Sequence, residues 1–206
     1  MRQEIINMAY QYKHKKKLSA EKRVSVNSPG RLNNNYWVIF GKCIGWLLLG
    51  AAAGYAFFYF FTDFSVNFVG KYKFIQGLFG LNQYTQGSKY IAVLLAIIIG
   101  NLVSTIAYFI LGYFRLLLPL SIITGFLMTI LLFTGSVIRN IPIPSEVIIL
   151  FSVEAFYRCI ALTTGEHLFK NRLENKAVLA VSVSAVIALL LGAAFYEIYQ
   201  IFGYVF

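Results

Sequence analysis

Four ionisable residues lie in otherwise apolar stretches of the chain. A charged side chain there has a high free-energy cost, so its presence points to a functional or structural role. Glu146, Glu154 and Arg158 fall within one short segment, and Glu197 lies near the end of the chain. On a helix, Glu154 and Arg158 are neighbours four residues apart, with the glutamate in the favourable first place for an ion pair. Glu146 falls about 80° from Glu154 around the same helix, so the three groups share one side.

These groups allow two interpretations. In the functional one, they line a proton path, an ion path or a polar substrate pocket, with Asn101 on another helix, and facing carboxylates share a proton or coordinate a cation. In the structural one, Glu154 and Arg158 pair to fix helix register, and Glu146 and Glu197 reach the outer headgroups. We expect Glu146 and Glu197 to lie at a similar depth, with Glu154 deepest.

The remaining reactive residue types form no catalytic pattern. The sequence lacks the GxSxG and HExxH motifs and any paired metal-ligand spacing. Cys43 and Cys159 lie in apolar runs without a CxxC spacing, and we interpret them as small buried residues. His167 is predicted to be solvated in a loop. We therefore predict a protein that is not an enzyme and that has no cofactor and no metal site.

The composition indicates that these residues are positioned by membrane-spanning helices. The chain is 59% apolar and only 13% charged, whereas a soluble domain is closer to half apolar and a quarter charged. Most of the net charge of +10 lies in the first 35 residues. This tail lacks a nucleic-acid-binding motif, so we predict contact with anionic headgroups of the lipid bilayer and no nucleic-acid partner.

The apolar runs predict an all-α fold, a polytopic transmembrane helix bundle of about five spans. Each run crosses a ~30 Å hydrocarbon core when it is helical. The predicted spans are residues 36–61, 90–114, 116–138, 144–162 and 177–202. Before them comes the basic cytoplasmic tail, residues 1–35. Residues 62–89 are predicted to be an extracytoplasmic loop, either interfacial or re-entrant, and residues 163–176 a polar loop.

The distribution of Lys and Arg predicts the orientation of the bundle. With the N-terminus in the cytoplasm and the C-terminus outside, twelve basic residues face the cytoplasm and four face the outside. Cytoplasmic loops carry the excess of positive charge, so this orientation is favoured over its reverse. The sequence therefore predicts a multi-pass protein of the cytoplasmic (inner) membrane.

Glycines in the first span predict a close helix contact. Gly45, Gly50 and Gly54 recur at near-helical spacing, and the segment from Gly50 to Gly54 reads GAAAG. Small residues at this spacing let another helix approach closely. We expect this glycine face and the polar side of the fourth span to be contact surfaces for partner proteins or for further copies of the chain.

Four segments carry a resemblance to a known family. They are GNLVSTIAYFILG in the second span, LPLSIITGFLMTILLFTG in the third, IPIPSEVIILFSVEAFYR at the fourth, and NKAVLAVSVSAVIALLLGAAFYEIYQIF in the fifth. Together they resemble the stage II sporulation protein M family of small polytopic membrane proteins, over roughly residues 37–206. That family has a His-Gly pair at its proline turn, which this chain lacks. The resemblance assigns the family's closing glutamate to Glu197 and its turn glutamate to Glu146.

The resemblance implies a function that spacing and composition do not supply. Members of the family resemble scaffolds, linked in sporulating bacteria to a complex that remodels peptidoglycan. It therefore implies a non-enzymatic membrane scaffold or assembly factor that recruits membrane or cell-envelope proteins. The alternative that the residues leave open is a small transporter or channel subunit for an ion or small polar solute.

Overall fold

The structure is a computed structural model that describes residues 29–78, 89–170 and 176–203, with side chains described from residue 35 and not over 72–78. Within these ranges the chain forms six helices: α1 (Pro29–Phe60), α2 (Thr62–Leu78), α3 (Tyr90–Tyr113), α4 (Leu117–Arg139), α5 (Ser145–Lys170) and α6 (Lys176–Phe202). The chain divides into two compact units, Met1–Val38 and Ile39–Phe206. The packing that follows is that of the second unit.

Five of these helices are long and apolar enough to cross a membrane, as the sequence predicted. The candidate spans are Asn35–Phe60, Tyr90–Tyr113, Leu117–Arg139, Ser145–Lys170 and Lys176–Phe202. Each has at least 23 residues, and at about 1.5 Å per residue each is longer than a ~30 Å hydrocarbon core is thick. The predicted all-α, five-span bundle is therefore confirmed.

The chain before the first span differs in part from the prediction. α1 begins at Pro29, so the last residues of the predicted tail are helical. Proline fits the first position of a helix, where its missing N–H would have no intrahelical acceptor. The rest of the predicted tail, residues 1–28, lies outside the described residues.

Between the first two spans the structure has a helix where the sequence predicted a loop. Backbone N–H groups of Phe61 and Ser65 donate across the joint at 2.9 Å each, so α2 follows α1 with only a short break. α2 packs against α4, and its Val69 is buried. The segment predicted as an extracytoplasmic loop is therefore helical over Thr62–Leu78, where contact with α4 stabilises a helix that the local sequence does not predict. Its place outside the membrane stays a prediction. Residues 79–88 lie outside the described residues.

The fourth span also continues beyond its predicted end at residue 162. α5 is helical to Lys170, and its last two turns bury Thr163, Thr164 and His167. The predictions of a polar loop from residue 163 and of a solvated His167 are therefore wrong over this stretch. The apolar run ends at Leu162, but packing against α3 covers the polar turns that follow and keeps them helical.

α5 is the central helix of the bundle. It packs against α3, α6 and α4, and α3 also packs against α6. The α3–α6 contact buries Val93, Ile97, Ala194, Ile198 and Phe202. The α1, α4 and α5 helices meet at a second cluster, formed by Ile39, Cys43, Leu117, Cys159 and Leu162. Burial of these side chains joins the α3–α5–α6 group to α1 and α4.

Two helix crossings depend on glycine. On α1, a Cβ at Gly50 would collide with the backbone of Ile122 on α4, and a Cβ at Gly125 of α4 would collide with the backbone of α1. At the α3–α5 crossing, a Cβ at Gly112 of α3 would collide with the backbone of α5, and a Cβ at Gly165 of α5 would collide with the backbone of α3. Such contacts bring two backbones together and gain dispersion energy along the crossing.

The two short turns of the bundle define its ends. Arg115 (φ 64°) follows α3 and Asn140 (φ 51°) follows α4, both in the left-handed region. The N–H of Leu116 donates to Leu111 O at 3.1 Å, and that of Ile141 donates to Ser136 O at 3.3 Å. These are the closing hydrogen bonds of Schellman motifs, which reverse the chain in few residues. We call these the Arg115 end and the Asn140 end.

Candidate functional site

The predicted neighbours on α5 form an ion pair. Arg158 Nη2 lies 3.0 Å from Glu154 Oε2, and the two side chains are 16% and 17% exposed. The pair forms because both residues project from one side of α5, one turn apart. A lone charged side chain within a membrane has a high free-energy cost. Pairing lowers that cost for both Glu154 and Arg158.

Two tyrosines flank the guanidinium of Arg158. Its Cζ lies 5.9 Å from the ring centroids of both Tyr108 and Tyr157. The Tyr108 hydroxyl bonds Thr124 Oγ1 at 2.6 Å, while Thr124 donates its own proton to Leu120 O. Tyr108 must therefore be the donor to Thr124, and this bond ties α3 to α4 beside the ion pair.

Glu197 joins this group from α6. Its half-buried carboxylate is close enough to interact electrostatically with Glu154, and Tyr157 lies within range of both carboxylates. Glu197 therefore lies within electrostatic range of Glu154, whereas Glu146 is exposed in the first turn of α5. That Glu146 and Glu197 lie at a similar depth stays a prediction. Counting residues along each span could not supply the register in which α6 packs on α5.

The group has unsatisfied hydrogen-bonding atoms. In the part of the chain that the structure describes, the Tyr157 hydroxyl and Arg158 Nε are buried without a hydrogen-bond partner. Buried polar atoms usually have a partner, and an ordered water or a bound polar atom satisfies those that lack one. The two carboxylates and the arginine carry a formal charge of minus one. A single proton or monovalent cation would neutralise the group.

Asn101 stands apart from these charges. It is half-buried on α3, and its backbone carbonyl accepts a hydrogen bond from Thr105 Oγ1 at 2.7 Å. None of the described contacts joins its side chain to Glu154 or Glu197. The acidic group therefore draws its neighbours from α5, α6 and Tyr108 of α3.

The glycines of the first span serve contacts inside the chain. Gly50 and Gly54 lie against Ile122 and Phe126 of α4, so they are not free to receive a partner protein. Gly45 is different, because no atom lies within 4 Å of the place its Cβ would occupy. The predicted helix contact therefore involves two of the three glycines.

The two cysteines come together although they are 116 residues apart. Both are free and buried. Cys43 Sγ lies 3.2 Å from Ser121 Oγ and 4.0 Å from the carbonyl oxygen of Cys159. They fill the junction of α1, α4 and α5 as small side chains. Among the described residues, no three His, Cys, Asp or Glu side chains form a group that could hold a metal ion.

Sequence reasoning missed Tyr108 and Tyr157. The chain contains 14 tyrosines, and nothing local distinguishes the two that flank Arg158. A partial signal was present for Tyr157, which is adjacent to Arg158 in the sequence. Comparison of the chain with protein-family models, with curated proteins and with solved structures finds no match.

Proposed function

We propose that the chain is a non-enzymatic scaffold or assembly factor of the cytoplasmic membrane that recruits membrane or cell-envelope proteins. One observation carries the proposal, an exposed aromatic surface where α1 meets α2. We call this the α1–α2 aromatic surface, and it comprises Tyr59, Phe60, Phe61, Phe64 and Phe68. Aromatic residues are enriched in the cores of protein–protein interfaces.

The composition and exposure of this surface suit an apolar partner surface rather than lipid headgroups. Phe60 and Tyr59 are 74% and 70% exposed, among the most exposed large apolar side chains described. Tyr and Trp are the residues enriched at lipid headgroups, whereas four of the five residues here are Phe. Gly50 and Gly54, by contrast, are occupied by α4 within the chain. The resemblance to stage II sporulation protein M supports partners that act in peptidoglycan remodelling.

A photo-crosslinking experiment in native membranes tests the proposal. Benzoylphenylalanine in place of Phe60 should crosslink a distinct membrane or envelope protein, identified by mass spectrometry. The same reporter at Phe114, which is 64% exposed at the Arg115 end, is the matched control. The double substitution Phe60→Ala and Phe64→Ala should lower partner recovery about tenfold or more, since aromatic anchors often contribute ~2 kcal/mol each. Equal crosslinking at positions 60 and 114 would count against the proposal.

A second function, transport of an ion or small polar solute, is favoured by the charged group on α5 and α6. Glu154, Glu197 and Arg158 leave one negative charge and two unsatisfied donor atoms inside the bundle. Under this alternative the purified protein has no stable partner. It conducts ions or solute in proteoliposomes, and Glu154→Gln abolishes that flux. Partner-free protein with Glu154-dependent flux would replace the scaffold proposal.

A further inference from the structure

Two cavities adjoin along the space between α4 and α5. The first, about 290 Å³, lies at the Asn140 end and is lined from α2, α4 and α5, including Val69, Gly135 and Arg139. The second, also about 290 Å³, opens between α1, α4 and α5. Leu132 and Phe151 line both cavities. The two are therefore neighbouring parts of one depression, which we call the α4–α5 groove.

The wall of the groove is apolar in effect, although three hydroxyl side chains line it. Ser136 donates to Ile141 O at 2.6 Å, Thr129 to Gly125 O at 2.9 Å, and Ser152 to Ile148 O at 2.7 Å. Each hydroxyl has thus given its proton to a nearby backbone carbonyl. A polar solute would find few donors here, whereas a hydrocarbon chain loses nothing by entering.

The length of the groove fits a lipid acyl chain. Its lining residues on α4 extend from Gly125 to Arg139, a distance of about 21 Å along a helix. One leaflet of a bilayer is about 15 Å of hydrocarbon deep. An acyl chain entering at the Asn140 end would therefore lie within the groove for its full depth in that leaflet.

The mouth of the groove carries positive charge. Arg139 is exposed in the last turn of α4 and lines the first cavity. Pro144, immediately before α5, lines the same cavity, so the positive N-terminal end of that helix faces the mouth. Glu146 carries the opposing charge in this turn but does not line the groove. An arginine beside a helix N-terminus suits a phosphate group.

We propose that the α4–α5 groove binds an anionic phospholipid of the surrounding bilayer, with its phosphate at Arg139 and one acyl chain along Leu132 and Phe151. The proposal does not depend on the scaffold function. Its two parts, headgroup and chain, are separable, because Arg139 lies at the mouth and the aliphatic wall lies below it.

Native mass spectrometry of the full chain released from nanodiscs tests the proposal. The nanodiscs contain equal amounts of phosphatidylglycerol and phosphatidylcholine with identical acyl chains. The wild-type protein should retain phosphatidylglycerol in preference. Arg139→Gln should reduce that preference about fivefold, the effect of one basic group near an anionic membrane surface. Lys89→Gln, another exposed basic residue, is the charge control and should leave the preference unchanged.

Filling the groove tests the acyl-chain part. No atom lies within 4 Å of a Cβ at Gly135, so Gly135→Phe can place its ring in the first cavity without a backbone clash. It should lower retention of both lipids severalfold. Gly192→Phe, at an exposed glycine of α6 that is equally free of neighbours, is the matched control and should retain lipid like the wild type.

One measurement needs no variant and so does not depend on how a variant folds. A phosphatidylglycerol with a photoreactive group in its acyl chain should label wild-type peptides containing Leu132 or Phe151. Labelling confined to other helices would overturn the proposal. So would equal losses in Arg139→Gln and Lys89→Gln, or wild-type lipid retention in folded Gly135→Phe.

Discussion

Arg158 is the residue on which most of the intramembrane polar contacts converge. It pairs with Glu154 at 3.0 Å and lies 5.9 Å from the rings of Tyr108 and Tyr157. These contacts come from α3 and from α5 itself, while Glu197 of α6 lies within electrostatic range of Glu154. One side chain thus links α3 and α5, which makes its removal informative.

Replacing Arg158 by Met should destabilise the folded protein by about 2.5 kcal/mol, because it leaves the Glu154 carboxylate unpaired within the membrane. The double variant Glu154→Gln with Arg158→Met should recover most of this loss, since no charge is then stranded. Thermal unfolding in detergent measures both. Equal instability of the single and double variants would show that Arg158 stabilises the fold by something other than its charge pair.

A matched control lies in the same helix. Glu166 and Lys170 form an ion pair with the same four-residue spacing, at the end of α5, where the Lys170 side chain is 35% exposed. Exposed pairs contribute little, commonly below about 1 kcal/mol. Lys170→Met should therefore shift the unfolding temperature far less than Arg158→Met.

Spacing predicted the Glu154–Arg158 pair because both residues belong to one helix, whose geometry is known before the fold is. The same reasoning could not name a neighbour for Glu197 on another helix. Its neighbour depends on the register between α5 and α6, and that register is set by buried contacts such as Tyr157 with Val186 and Ala193. A shift of one helical turn would bring a different residue of α5 to Glu197.

At the scale of elements, glycines decide which helices approach most closely. Gly165 of α5 lies against Phe109 and Tyr113 of α3, and Gly112 of α3 lies against Leu162 of α5. The sequence pointed to the GAAAG segment of α1. It did not single out Gly112 or Gly165, because neither belongs to a repeated glycine pattern like that of α1.

Gly165→Ala should lower the free energy of unfolding by about 1–3 kcal/mol, because its Cβ would meet the backbone of α3 and force the helices apart. Gly100→Ala is the control. Its Cβ meets no atom within 4 Å, and alanine favours helix over glycine by up to ~1 kcal/mol. Unfolding in detergent should therefore rank Gly100→Ala at or above the wild type. A Gly165→Ala variant of wild-type stability would refute the close contact.

Helix ends were harder to predict than helix cores. α5 runs eight residues past its apolar stretch, and α2 forms where a loop was expected. In both places, packing against neighbouring helices stabilises a helix that the local sequence does not clearly predict. The ends at Arg115 and Asn140 agree with the prediction to within a residue or two, since charged or proline-rich turns interrupt the apolar pattern there.

At the scale of the whole molecule, α3, α5 and α6 form a three-helix group against which α4 packs, and α1 and α2 in turn pack on α4. The α4–α5 groove follows from this division, because α4 meets α5 less intimately than α3 does. The orientation in the membrane stays a prediction from the distribution of Lys and Arg.

Cysteine labelling measures that orientation. In a background of Cys43→Ala and Cys159→Ala, Ile141→Cys at the Asn140 end should react with a membrane-impermeant maleimide added to intact cells. Lys176→Cys, exposed at the other end, should react only after the cells are opened. Labelling of Lys176→Cys alone on intact cells would reverse the orientation.

The sequence by itself determined the number and approximate limits of the spans, because crossing a hydrocarbon core requires about 20 apolar residues in a helix and few other arrangements satisfy the backbone. It also determined the pair within α5, through fixed helical geometry. Only the tertiary structure decided that Glu197 lies within electrostatic range of Glu154, that Cys43 meets Cys159, and that the groove lies between α4 and α5. Those depend on how helices pack against one another, and a hydrophobic pattern along one chain does not encode the register between two.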